Sequence, residues 1–171
     1  MSKINFRTDI LPLKNTLYRL ALRITADSDE AEDIVQETMV KVWNNRDNWD
    51  AVDSLKAWCC TIARNLSLDS VKSRSRSPEV TGIVPEERPD SADNPFESLM
   101  KADRRQRLRA FINTLPEKQR TCLQLRDFEG YSYKEIAQVL AITEEQVKVN
   151  IFRARQALKK HYTQKDNENG L

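Results

Sequence analysis

Residues 130–160 read GYSYKEIAQVLAITEEQVKVNIFRARQALKK, and this stretch decides the fold. Ser132, with Glu135 three residues later, has the form of a capping box opening a short helix with Ile136, Val139 and Leu140 inside. Ala141, Ile142 and Thr143 make a three-residue turn. Thr143 and Gln146 repeat the capping pattern and open a longer helix that turns Val147, Ile151, Ala154 and Leu158 inward. A short helix, a tight turn and a longer capped helix form a helix-turn-helix. In that motif the second helix lies in the DNA major groove and the residues near its N-terminus reach base edges. An αα-hairpin with a solvated basic face fits the same pattern. Ala141 departs from the glycine often found in this turn, and a left-handed alanine costs roughly 1 kcal/mol.

Working outward toward the N-terminus, Pro116 at a first helical turn opens a helix over Glu117–Asp127, ending near Gly130. Before it, Asn94 and Pro95 suggest a helix start, followed by a stripe of Phe96, Leu99, Met100, Leu108, Phe111, Ile112 and Leu115. The net charge of +2 hides a segregation. Residues 77–100 carry six acids and one base, Arg88, whereas residues 101–126 carry eight bases against only Asp103 and Glu117. Residues 134–160 add six bases against Glu135, Glu144 and Glu145, so an acidic waist precedes a basic rear that would attract a polyanion. The waist, with Pro78, Pro85 and Pro89 and no long periodicity, reads as a flexible linker over residues 77–94.

The front part is also helical. Ile10, Leu13, Leu17, Leu20, Ala21 and Ile24 share one helical face. Asp27 and Glu30 then propose a capping box for a second helix with Ala31, Ile34, Val35, Thr38, Val42 and Trp43 along one stripe. Asp33, Gln36, Glu37 and Lys41 occupy its other side, which from this stretch alone reads as solvated surface. Asn44–Asp53 (NNRDNWDAVD) has no helical period and reads as a loop, with Asp53 capping a third helix. That helix carries Leu55, Trp58, Cys59, Ile62, Ala63 and Leu66 and runs into Lys72, Arg74 and Arg76. Trp43 and Trp58, at helical spacing, read as core; Trp49, off any stripe, reads equally as core or as a stacking platform for an unpaired base.

Several function classes are excluded or left without support. Cys59, Cys60 and Cys122 form neither a disulfide framework nor a metal-ligand pattern, and they read as free cytosolic thiols. No run approaches the roughly 18 apolar residues that span a bilayer, and Met1–Asp9 lacks the apolar core of a signal peptide, so no membrane insertion and a cytoplasmic location are expected. His161 has no partner in view, and no nucleophile–base pair, metal cluster or phosphate loop supports an active site or a cofactor.

Read together, the strings DEAEDIVQET, TIARN, YSYKEIA and FRARQAL, in this order, resemble the extracytoplasmic-function class of sigma factors, small sigma-70-type subunits of bacterial RNA polymerase. LYRLALRITADSDEAEDIVQETMVKVW and SLKAWCCTIARNLSLDSVKSRSR are similar to sigma region 2; LPEKQRTCLQLRDFEGYSYKEIAQVLAITEEQVKVNIFRARQALKK is similar to region 4. The resemblance implies an all-α chain of two small helical domains: region 2 over residues 1–76, the linker over 77–94, region 4 over 95–162, and a polar tail over 163–171. It implies no enzyme activity and no cofactor. It implies that Asp33, Gln36, Glu37 and Val40 dock on the RNA polymerase core. Asn48, Trp49 and Asp50, with Lys56, Arg64, Asn65, Lys72 and Arg74, would engage the non-template strand of the opened promoter, where base unstacking costs a few kcal/mol. Lys148, Val149, Phe152 and Arg153 would read the upstream promoter element as a duplex, with Arg155 and Lys159 nearer phosphates. Glu144 and Glu145 could accept from cytosine N4, which shifts sequence preference from that of relatives with small residues there. Relatives are often held inactive by an anti-sigma protein, and the linker permits both a compact inhibited arrangement and an extended polymerase-bound one. Two rivals stay open: a stand-alone helix-turn-helix regulator, which has no use for the Asp33/Gln36/Glu37 face, and an adaptor that has lost its DNA contacts.

Overall fold

The computed structural model describes residues 3–75 and 101–168, with side chains through 165. Among the described residues the regular structure is entirely helical. A wide π-type turn, Phe6–Ile10, and a 3₁₀ turn, Leu11–Leu13, lead into α1, Lys14–Thr25. Ala26 closes α1 in the left-handed region (φ 53°), and Asp27 starts α2, Ser28–Asn44, by accepting at Oδ1 from the amides of Asp29 and Glu30, both at 3.1 Å. A 3₁₀ turn, Arg46–Ala51, leads to α3, Leu55–Ser75. The three long helices pack on one another and bury Leu17, Leu20, Ala21, Ile34, Val42, Cys59 and Ala63.

The rear half comprises α4, Ala102–Ile112; α5, Glu117–Leu123, continued by a π-type turn, Gln124–Phe128; α6, Tyr133–Leu140; and α7, Glu144–Glu168. Both sequence-read capping boxes of the helix-turn-helix are present. Ser132 Oγ accepts from the Glu135 amide while Glu135 Oε1 accepts from the Ser132 amide, each at 3.1 Å. Thr143 and Gln146 exchange the same pair of bonds at 3.1 and 3.0 Å. Ala141 is left-handed (φ 53°), as the turn demands. Ile136, Val139, Leu140, Val147 and Ile151 are buried where α6 and α7 meet, and Leu108, Ile112, Leu115, Leu123 and Ala154 form a second apolar cluster joining α4 to α7.

Three local readings are corrected. The cap of α3 is Ser54, not Asp53: Ser54 Oγ accepts from the Ala57 amide at 3.2 Å, and Ser54 O receives the Trp58 amide. α5 begins at Glu117 as expected, with Pro116 as its cap. Within the Asn44–Asp53 stretch, Arg46–Ala51 form a hydrogen-bonded 3₁₀ turn rather than an irregular loop. Trp43, read as core, is 47% exposed, and Trp49, left open between core and stacking platform, is buried at 4% exposure. Trp43 lies about 100° around the helix from buried Val42, which carries its ring out of the core and under the Arg46 guanidinium, 4.7 Å from the ring centre. Trp58 is partly buried, as expected. The linker, the Asn94 cap, Arg76, Phe96, Leu99 and Met100 lie outside the described residues.

Candidate partner and nucleic-acid interfaces

Three surfaces carry the sequence-predicted residues. On α2, the helical spacing that buries Ala31, Ile34, Val35 and Thr38 turns Asp33, Gln36, Glu37 and Val40 outward; all four are exposed, Val40 at 58%. Two acids, an amide and an aliphatic side chain on one solvent face can dock a protein surface of mixed basic and apolar character.

On α7, Lys148, Val149, Phe152 and Arg153 are exposed around the first turns of the helix, Phe152 at 62% and Val149 at 44%. A large aromatic so open to water in a second helix of this motif is suited to apolar contact with a thymine methyl group. Lys148 Nζ sits 3.6 Å from Glu145 and 5.6 Å over the Tyr133 ring, which steadies a donor suited to guanine or phosphate. Arg155 is held by Asp127, with Nε bonding Oδ2 at 3.0 Å and Nη2 bonding Oδ1; this hydrogen bond raises the guanidinium pKa above its ordinary value. Lys159 is exposed one turn further on.

The third surface is divided. Asn48 and Asp50 in the 3₁₀ turn are exposed, and so are Asn65 and Lys72 on α3. Trp49 is not available for stacking here: its Nε1 donates to Val42 O at 2.9 Å and its ring packs against Phe6 and Trp43. Arg74 turns back to the α1–α2 junction, bonding Thr25 O and lying 3.7 Å from Asp27. Lys56 and Arg64 face the rear half. Arg64, 8% exposed, donates from Nε and Nη2 to the two carboxylate oxygens of Glu117 at 2.8 and 2.9 Å. Lys56 lies 3.7 Å from Glu135 and 5.0 Å over the Tyr131 ring.

These contacts belong to a seam between front and rear halves; the sequence reading allowed a compact arrangement of the two but named none of the pairs across it. Arg19 makes a two-pronged pair with Glu129, at 2.8 and 2.7 Å; Glu129 also accepts from Thr16 and Gln124. Arg23 Nε donates to Gln124 Oε1 at 2.9 Å, and Arg120 donates to Arg23 O. At the centre Cys60 Sγ lies 3.6 Å from Tyr131 Oη, and burial pushes the Cys60 thiol up to about 12. Burial alone would raise Glu117, but the hydrogen bonds and charge of Arg64, the Thr121 hydroxyl and the Arg120 charge outweigh it and hold the carboxyl below its ordinary range. The available signal was the isolation of Glu117 and Asp103 among eight bases.

No group of acids, histidines and cysteines among the described residues could hold a metal ion, and no described helix is long and apolar enough to cross a membrane. Residues 105–158 match the family described as Sigma-70, region 4, and residues 10–77 match Sigma-70 region 2. The RNA polymerase sigma-H factor of Pseudomonas aeruginosa is 33% identical over 162 residues, covering 89% of this chain and 84% of that protein. The chain is a sigma factor of the extracytoplasmic-function class. Another such sigma factor, SigE of Mycolicibacterium smegmatis, is also 33% identical over 89% of this chain, which spans 59% of that longer relative. Among solved structures, the sigma factor RpoE in complex with the anti-sigma factor NepR from Bartonella quintana superposes with a TM-score of 0.72 at 25% identity, over 91% of this chain and 94% of that one. Factors of this family bind RNA polymerase and direct it to promoters. The α2 face belongs to region 2 and the helix-turn-helix to region 4, in the order that the sequence resemblance implied.

Proposed function

We propose that this sigma factor docks on the polymerase core through Asp33, Gln36, Glu37 and Val40, reads an upstream promoter element with Lys148, Val149, Phe152 and Arg153, and assists DNA opening with residues of α3 and the preceding turn. Arg155 and Lys159 then contact phosphates. Asn48, Asp50, Lys56, Arg64, Asn65, Lys72 and Arg74 contact the opened strand, and Trp49 supports their turn from inside. The observation that carries the reading is the simultaneous exposure of two chemically different faces on matched sigma regions: the acidic α2 face and the basic, aromatic start of α7. A stand-alone duplex-binding regulator has no use for the first, and an adaptor has none for the second. The proposed units are residues 1–76, 77–94, 95–162 and the tail 163–171; the chain itself is non-catalytic, takes no cofactor and works in the cytoplasm. An anti-sigma protein is a further proposed partner, consistent with the complex formed by the Bartonella relative.

Run-off transcription with reconstituted core polymerase on a genomic DNA library tests this. Discrete start sites that depend on the added chain are expected. A folded chain that never confers start-site selection overturns the proposal.

A further inference from the structure

Lys148 stands near the start of α7, where the proposed function sets a donor against a base edge, and it is exposed. Its ammonium is a compact charge on a flexible four-carbon stem, so a lysine left free discriminates poorly between a base and a nearby phosphate. Two contacts narrow that freedom. Glu145 lies 3.6 Å from Lys148 Nζ, but its side chain is 85% exposed and such a pair holds little. The Tyr133 ring, with its centre 5.6 Å from Nζ, is the firmer support. Tyr133 is the first residue of α6, directly after the Ser132 cap, and it packs, partly buried, against the apolar core. The Arg126 guanidinium lies over the same ring, 4.3 Å from its centre, and its Nη1 donates to Tyr131 O at 2.9 Å. A fixed ring on the first helix of the motif thus supports a mobile donor on the second.

Resting on the function proposed above, we infer that Tyr133 is a positioning residue for base reading: its ring face holds the Lys148 ammonium against a guanine of the upstream promoter element and thereby sets the preference at one base pair. Lysine pairs with guanine O6 and N7 in the major groove. An ammonium has three donors, so contact with the ring leaves enough of them for both acceptors. Because the side chain is ordered before DNA arrives, less binding energy is lost in ordering it. A cation over an exposed ring is worth a factor of about two to five, and here that factor falls on the choice of base at one position rather than on the phosphate contacts. Tyr133 acts through its ring, so its hydroxyl is dispensable.

The test uses the full chain bound to reconstituted core polymerase and offered a duplex DNA library with a randomised stretch. Bound molecules are recovered and sequenced, which gives the base preference at every position. Lys148→Ala marks the base pair that Lys148 reads, as the position where preference is lost. Tyr133→Leu is expected to weaken the preference at that same base pair by about twofold to fivefold and to leave the other positions as in the wild type. Tyr133→Phe, which keeps the ring, should select the wild-type sequence, and Tyr133→Leu should add nothing in the Lys148→Ala background. Circular dichroism checks each fold, and Tyr133→Met serves as a second variant without the ring. Wild-type preference in the folded Leu or Met variant overturns the inference. So does an equal loss at every position, a further loss in the Lys148→Ala background, or loss of fold in both variants, each of which makes the ring a structural support only. A Lys148→Ala chain that selects the wild-type sequence overturns it as well. Enrichment by the wild-type chain alongside any of these results sinks the positioning role alone, whereas no enrichment by the wild-type chain sinks the proposed function.

Discussion

Replacing Trp49 tests whether its indole is a structural post or a base-stacking surface. A tryptophan side chain buries about 150–250 Å², and at about 25 cal/mol per Å² that is worth about 4–6 kcal/mol as an upper bound. Trp49 is 4% exposed, so Trp49→Ala should destabilise the fold by about 3–5 kcal/mol. Trp49→Phe keeps a ring but loses the Nε1 bond to Val42 O. That carbonyl still receives the Asn45 amide at 3.2 Å, so the lost bond alone accounts for no more than about 1 kcal/mol. The smaller ring leaves a void, bringing the total to about 2 kcal/mol. Trp43→Ala, at a 47% exposed position, should cost no more than about half as much as Trp49→Ala. Urea unfolding followed by circular dichroism avoids the change in fluorophore. A Trp43→Ala loss exceeding that of Trp49→Ala would refute the burial argument. So would a Trp49→Phe chain of wild-type stability that has lost single-strand binding.

Four further outcomes are expected. Asp33→Arg with Glu37→Arg abolishes capture of core polymerase in a pull-down while the circular dichroism spectrum is unchanged, because both side chains are exposed. Arg153→Ala weakens promoter binding by about 1–3 kcal/mol and relaxes discrimination at one or two base pairs in a quantitative shift assay. Ala141→Gly raises the midpoint of thermal unfolding, since relieving φ 53° recovers up to about 1 kcal/mol, less the added chain entropy of glycine. The Glu117 carboxyl is held below its ordinary range when folded, so its contribution is fully present above the unfolded-chain value and fades as acid takes the pH through the folded one. The stability gap between wild type and Glu117→Gln in urea melts should therefore hold at neutrality and close on the acid side of the ordinary glutamate range.

The helix-turn-helix was legible because its signals are local. Two reciprocal capping pairs and one turn residue lie within a single stretch, and each bond spans three residues. The exposed acidic face of α2 was legible for a similar reason, since a helical period sorts Asp33 and Glu37 away from Ile34 and Thr38. Periodicity does not say what covers a face. Arg64 was placed correctly on α3, but its partner lies 53 residues along the chain, and nothing near TIARN announces Glu117. Trp43 left the core because a stripe near a helix end leaves an aromatic the choice between core and solvent, and the open reading of Trp49 closes on the core because the 3₁₀ turn brings it back over Val42. The Asp53–Ser54 error has the same character: adjacent residues can each cap, and only the backbone direction selects the serine hydroxyl.

Glu135 has two employments. One of its oxygens closes the capping box of α6, while the other meets Ser54 and Lys56 across the seam. The folding of the helix-turn-helix and its contact with the front half are thereby wired through one carboxylate. Most substitutions there will disturb both at once, and an engineer who wants a looser seam with an intact helix-turn-helix must work from Lys56 or place an amide at position 135.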